Sequence, residues 1–349
     1  MEKLLLSVVI PIYNGQKHIR DCLAAIENQT YQNLEIICVD DGSTDNSAAI
    51  CKEFAERDSR IKLFTQENKG ASSARNAGMD KATGEYVCFC DADDYPEPEW
   101  AQRYVAAIEN WKDADCSFIC CGMYFDNVYY KNVKNKESIL EAAHGFVRGN
   151  DYLISRATAA TLAWLKLFNF VTNKCYDLNL IKEKNIRFDE GVNIGEDLKF
   201  NLDYLDNTTG NIGMINQALY HYVRRCGDSL SLTYHPNDLE DTKYIYKRLV
   251  NWEVRQPGCT EENMLVVKGI YISDWVSRIT SMYEAYREGE AGEKARQKVT
   301  KELKCKEFQD TLKEIYAGKK ISTLRYVCLR TGIFQVFYFF RGIYQLMKG

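Results

Sequence analysis

Four short apolar runs, Leu4 to Ile12, Leu34 to Val39, Ile61 to Phe64 and Tyr86 to Cys90, frame everything this chain can fold into. Each has the length of a buried strand, and segments of helical spacing separate them. After the first run, Ile19, Cys22, Leu23 and Ile26 recur at helical intervals. After the second, Thr44 to Ser47 supply capping side chains ahead of Ile50, Cys51 and Phe54. After the third, Ala71 to Lys81 is a helix rich in small residues that pack closely. Strand and helix alternating in this way predict an α/β fold, a mostly parallel sheet with right-handed crossovers and flanking helices.

Polar residues collect where the runs stop: Tyr13 and Asn14, Asp40 and Asp41, Lys69, then Asp91, Asp93 and Asp94. Open α/β sheets bind ligands at that edge. Three carboxylates set together repel one another and call for a cation, and hard oxygen ligands favour Mg²⁺ or Mn²⁺. The competing reading is an acidic turn that caps the next helix near Pro96 and Pro98. A nucleotide diphosphate meets all the demands of this edge at once, since a ring can stack on its base and a metal can bridge its phosphates. Neither G-x-x-x-x-G-K-[ST] nor G-x-G-x-x-G follows the first run, which removes ATPase and dinucleotide-binding readings.

A net charge of −4 over 349 residues argues against a nucleic-acid partner. The 13 cysteines form no pair of C-x-x-C motifs, and Cys38, Cys88, Cys90, Cys120 and Cys121 sit inside apolar runs. They read as small core residues in a reducing compartment. No apolar run reaches membrane-spanning length, and the start lacks a signal-peptide pattern, so a cytoplasmic location is expected.

The stretches Ser7-Val-Val-Ile-Pro-Ile-Tyr-Asn14, Cys38-Val-Asp-Asp-Gly-Ser-Thr-Asp45, Asn68-Lys-Gly70, Ala74-Arg-Asn-Ala-Gly78 and Asp91-Ala-Asp-Asp94 closely resemble the N-terminal half of the family 2 inverting glycosyltransferases, which have the GT-A fold. The resemblance implies a nucleotide-sugar donor, most simply a UDP-sugar, and a divalent metal at the D-x-D element Asp91-Ala92-Asp93. Carried over by position, Pro11, Tyr13 and Asp41 line the base and ribose pocket with Asp40 at its edge, and Asn14, Lys69, Asn76 and Ala92 join the nucleotide site. Asp93 is then the carboxylate closest to the metal, with Asp91 acting directly or through the ribose or a water.

Glu97 to Asn110 reads as an amphipathic helix and Cys116 to Cys121 as another buried strand. Met123 to Arg156, polar and bearing Tyr124, Phe125, Tyr129 and Tyr130, reads as a variable hairpin or lid. Asn173-Lys-Cys-Tyr176 and Gly195-Glu196-Asp197 also resemble the family, whose Glu-Asp element faces the acceptor. On that basis Asp197 is the general base and Glu196 an acceptor or diphosphate contact; on sequence alone, helix capping competes for these carboxylates. Ile212 to Val223 reads as a strand. His221 within it is open between a third metal ligand and a half-buried strand histidine, and Arg224 and Arg225 between phosphate contacts and a solvated turn.

The expected division is 1–235, with a nucleotide half to 125 and an acceptor half from 126, followed by a helical region 236–349. Its helices are expected over 241–252, 261–287, 293–316 and 322–347. The last, aromatic with Arg325, Arg330, Arg341 and Lys348 interleaved, suits three roles: a core helix, a membrane-surface helix or a homodimer contact. Surface docking would suit a lipid-linked acceptor; a glycan is the other acceptor expected. Two rival functions remain, a sugar nucleotidyltransferase and a non-catalytic nucleotide-sugar-binding module. The first wants a Gly- and Arg-rich loop after the first strand, which Pro11 to Gly15 is not.

Overall fold

The computed structural model describes residues 4–129, 132–138, 150–225, 236–286 and 289–338. The chain divides into two compact units, 1–192 with 196–229, and 193–195 with 230–349. The boundary expected at 235 touches residues 226–235, outside the described set.

The first unit is the expected sheet. Strands β1 (Leu6–Ile12), β2 (Leu34–Asp40), β3 (Ile61–Thr65) and β4 (Tyr86–Phe89) alternate with helices α1 (Ile19–Glu27), α2 (Ser47–Arg57) and α3 (Ala71–Lys81). They are joined in the order β3-β2-β1-β4, all parallel. All seven residues of β1 and of β2 are buried, as strands covered on both faces must be. Pro11 is tolerated in this central strand for a local reason. Val9 O accepts from Cys90 N, so residues 9 and 11 turn their backbone toward β4, and β4 pairing ends at Phe89. The missing N–H of Pro11 therefore costs no ladder bond. Gly78 of α3 lies so close to β1 that a Cβ there would fall 2.3 Å from Val9 Cγ1.

Beyond β4 the sheet becomes mixed. The two-residue β5 (Tyr95–Pro96) and α4 (Trp100–Trp111) lead into β6 (Cys116–Tyr129), which runs well past the expected end at Cys121. It forms a hairpin with β7 (Asn132–Ser138), so the 123–156 region is in part the expected hairpin. The short β8 (Tyr152–Ile154) and helix α5 (Ala159–Trp164) come before β9 (Lys174–Asp177), which pairs antiparallel to both β4 and β6. Helices α6 (Leu178–Glu183) and α7 (Glu196–Asp206) precede β10 (Asn211–Arg225), parallel to β6 and antiparallel to β5 and β8.

The second unit is helical: α8 (Asp238–Glu253), α9 (Glu261–Ala285), α10 (Gly289–Lys304), α11 (Lys306–Ala317) and α12 (Thr323–Arg330). The helix expected over 293–316 is two, broken at Cys305, whose sulfur caps α11 by accepting from Phe308 N. The one expected over 322–347 stops at Arg330, and Gly332 takes φ +60° before a helical turn at 334–338. Leu329, Phe334 and Phe337 are buried with Trp275 and Phe308, which favours the core reading for that stretch. Leu324, Val327 and Ile333 are exposed. Residues 339–349 lie outside the described set. Among the described residues no helix is long and apolar enough to cross a membrane.

Candidate active site

Three loops at the carboxyl ends of β1, β2 and β4 build one side of the site. Asn14 sits at φ +49°, a conformation asparagine tolerates. Its Oδ1 accepts from Thr44 N at 2.9 Å, while its own N–H donates to Ser43 Oγ at 3.0 Å. Asp40 Oδ1 accepts from Ser43 N at 3.3 Å. Asp41 is buried, and Oδ1 accepts from Lys69 N at 2.9 Å and Oδ2 from Gly70 N at 2.7 Å. Its carboxylate thus fixes the loop that carries Lys69 into α3. Pro11 is buried, Tyr13 is half exposed at 49%, and a Cβ on Gly15 would lie 3.6 Å from Ala92, so the first loop sits against the acidic one.

The three carboxylates of that acidic loop point to different tasks. Asp94 is buried, accepting from Val223 N at 2.8 Å and from Tyr220 OH at 3.0 Å, and Tyr220 Oη accepts in turn from Asp91 N. Burial, then the charges of Asp93 and Asp91, hold Asp94 well above the usual carboxylate range. It is a structural anchor. The Asp93 side chain is 57% exposed, its Oδ2 lying 3.5 Å from Arg225, which donates to Asp93 O at 2.7 Å. Asp91 Oδ1 accepts from Arg75 Nη2 at 2.8 Å.

Arg75 is the residue that sequence reasoning passed over. It lies within the quoted Ala74–Gly78 stretch, on a helix of small residues that sits hard against the sheet, and so its long side chain is drawn inward. It is buried, spans from Asp91 to Asp197 Oδ1 at 3.4 Å and Glu196 at 3.8 Å, and lies over the Phe188 ring. Burial opposes its charge, but Asp91, Asp197 and Glu196 outweigh that and raise its pKa.

Asp197 is the second residue of α7, yet its carboxylate does not cap that helix. Oδ2 accepts from Val171 N at 3.1 Å, on a separate turn, and Oδ1 faces Arg75. Burial raises its pKa, with Arg75 opposing. Glu196 keeps a quarter of its side chain exposed, and burial followed by the charge of Asp197 pushes it up to about 7.

Three expected residues are placed differently. Asn76 donates to Phe188 O and Glu190 Oε1 and accepts from Phe188 N. Its amide is engaged in fastening residues 188–190. His221 is buried, stacked between Tyr95 and Tyr124, with its ring nitrogens 2.8 Å from Asp126 and from Glu97. Both nitrogens are engaged by carboxylates within the fold, so it takes the strand-histidine role. Arg224 lies over the Phe125 ring, whereas Arg225 reaches the acidic loop.

The charge balance and donor set suit a hard cation. Asp91, Asp93, Glu196 and Asp197 face only Arg75 and Arg225 in the ion pairs above. Asp91 Oδ2 has no hydrogen-bond partner among the described residues, and the Asp93 carboxylate is 57% exposed with Arg225 3.5 Å away. Among those residues no group of three metal-ligating side chains is preassembled. Two carboxylates completed by substrate phosphates is the arrangement Mg²⁺ commonly takes.

Residues 7–171 match the model of a family described as Glycosyl transferase family 2. Glycosyltransferase GlyG of Streptococcus pneumoniae is 31% identical over 255 residues, 71% of this chain and 80% of that protein. Glycosyltransferase GlyA of the same species is 35% identical over 233 residues, 64% of this chain but 31% of that protein, so the chain spans under a third of that relative. A crystal structure of S. aureus TarS residues 1–349 with UDP-GlcNAc superposes at a TM-score of 0.65, with 19% identity, over 95% of this chain and 89% of that one. It has the same GT-A fold.

Proposed function

Since the chain belongs to glycosyl transferase family 2, we propose that it moves a sugar from a nucleotide-sugar donor to a hydroxyl of a glycan or lipid-linked acceptor in polysaccharide synthesis, with inversion at the anomeric carbon. The observation that carries this is the Arg75 guanidinium, which touches the acidic loop through Asp91 and the Glu-Asp element through Asp197. Donor-side and acceptor-side carboxylates therefore meet within one side chain's reach, which a single-step transfer requires.

In this reading Asp197 takes the acceptor hydroxyl proton as the new bond forms. Val171 N–H and Arg75 hold its carboxylate in place. Tyr13, Asp40 and Asp41 bound the base and ribose end. Arg225, with Lys69 at the α3 entrance, meets the diphosphate. Asp93 and Asp91 are the residues that would hold a divalent ion, Mg²⁺ or Mn²⁺, which would supply neutralisation of the leaving diphosphate. TarS shares the fold and was crystallised with UDP-GlcNAc, so uridine donors are the first to test. Contact of 321–349 with a membrane surface or a second copy belongs to the same proposal, resting on the exposed Leu324, Val327 and Ile333.

Glu196 offers a second reading of the base, because its carboxyl is poised at about 7 and is the more exposed of the pair. A panel of nucleotide sugars, assayed for transfer and donor hydrolysis with product anomer read by NMR, tests the function. Asp197→Asn should lower kcat by roughly 10²- to 10⁴-fold with donor affinity kept, as removal of a general base does. If Glu196→Gln shows that loss and Asp197→Asn does not, the base is Glu196. If neither variant loses turnover, transfer through a carboxylate base is wrong.

A further inference from the structure

Lys174 has no place in the mechanism above, yet it is the most demanding residue near the site. Its side chain is wholly buried at the start of β9, and no carboxylate lies within ion-pairing distance among the described residues. The ammonium instead donates to Leu167 O at 2.8 Å, Phe170 O at 2.5 Å and Asn173 Oδ1 at 2.8 Å. Desolvating an ammonium is costly, and these three acceptors match its three N–H groups.

The same turn is gripped from a second side. Asn201, also wholly buried, donates to Phe168 O at 2.7 Å and Phe170 O at 3.1 Å. Tyr176 OH donates to Asn201 Oδ1, which fixes the amide so that its nitrogen faces the turn. Asn173 Nδ2 adds a bond to Leu167 O at 3.1 Å. Every carbonyl so held precedes Val171, the residue whose N–H reaches Asp197. Asn201 and Asp197 are four residues apart on α7 and hence share a face.

We infer that Lys174 and Asn201 are positioning residues for Asp197, clamping the carbonyls of the 167–170 turn so that the Val171 N–H is aimed at its carboxylate. The inference rests on Asp197 acting as the base. Without the ammonium, Leu167 O and Phe170 O keep the Asn173 and Asn201 donors, each at 3.1 Å, but the turn loses its third point of fixation in a dry site and shifts. Val171 N–H moves with it. Donor binding, built from loops after β1, β2 and β4, is untouched.

The test measures kcat for transfer and Kd for UDP in the full-length protein for Lys174→Met and Tyr176→Phe, beside Asp197→Asn. Tyr176→Phe keeps the ring in the core and removes only the hydroxyl that sets the Asn201 amide, so it stands in where Lys174→Met fails to fold. The expected result is a kcat loss of about 10-fold for Lys174→Met and about 3-fold for Tyr176→Phe, the range set by weakening the single Val171 N–H bond to Asp197. UDP Kd stays within about 2-fold, and Tyr176→Phe has no further effect in the Asp197→Asn background. Unchanged kcat in folded Tyr176→Phe, or a parallel loss of UDP affinity, overturns the inference while leaving the base assignment intact. Full turnover by Asp197→Asn removes both.

Discussion

The two sides of the site are put together differently. On the donor side, Asn14 meets Thr44, 30 residues on, and Asp41 meets Gly70, 29 residues on. These are neighbouring β–α loops on adjacent parallel strands. On the acceptor side, Arg75 reaches Asp197 across 122 residues and Asn76 reaches Phe188 across 112. Here a turn, a helix start and an arginine from the opposite half of the unit converge on one carboxylate. The donor side is a repeated supersecondary pattern, and the acceptor side exists only after the sheet has closed. Damage should therefore stay local on the first side, and on the second it should reach the donor loops where it passes through Arg75.

The sharpest way to break that contrast is Arg75→Met. It leaves the buried Asp197 and the partly exposed Asp91 without their shared cation, and breaking a buried pair costs about 3 kcal/mol or more. Thermal unfolding should show the loss, and both donor affinity and kcat should fall. A variant that lost only one of the two would show that the sides are not joined through this residue.

Asp93→Ala, on the donor side, should stay local. Calorimetric titration of UDP with and without Mn²⁺ should show that the metal-dependent gain in affinity, expected to be about 10-fold for a phosphate-bridging ion, has gone. The melting temperature should hold, since Asp93 is exposed and Asp94 is the anchor.

Gly78→Ala separates packing from chemistry. The added methyl would meet Val9 in the middle of β1. Overpacking of this kind costs about 1–3 kcal/mol, read by denaturant unfolding. Arg75 is on the same helix, so a fall in kcat in step with stability would tie the acceptor side to α3 docking; unchanged kcat would uncouple them.

The smallest effect is on pH. Glu196 is held above its ordinary value, to about 7, so the folded chain keeps a proton that the unfolded chain has lost. Stability from this group is therefore highest at low pH and declines as pH rises from the ordinary carboxylate range through about 7. In the proposed mechanism activity would run the other way, because a carboxylate base works only when ionised. Glu196→Gln should raise the melting temperature more at pH 8 than at pH 5, and should move the acid limb of the kcat/KM profile. A profile unchanged by that substitution would place the limb on another group.

How much of this was legible follows from the same contrast. Asp40, Asp41 and the Asp91–Asp94 cluster announced themselves because an apolar run stops at each of them, and the carboxyl end of a parallel strand is where a ligand can reach. Those tasks were not equally visible. Asp94 differs from Asp93 only in facing Tyr220 and Val223, from a strand more than a hundred residues away. Asn76 and His221 carried the right chemistry for a ligand and were taken up by Phe188, Asp126 and Glu97 instead. In the helical unit, the break at Cys305 was hidden because the apolar spacing continues across it.

What the chain determined by itself was the period and length of its elements, since burial on both faces of a sheet, or on one face of a helix, is written in consecutive residues. Which carboxylates would be anchors and which would be free to act was decided by tertiary structure. A side chain's task depends on its partner, and Arg75, Val171 and Lys174 come within reach of α7 only once the mixed half of the sheet has placed β9 beside β4 and β6.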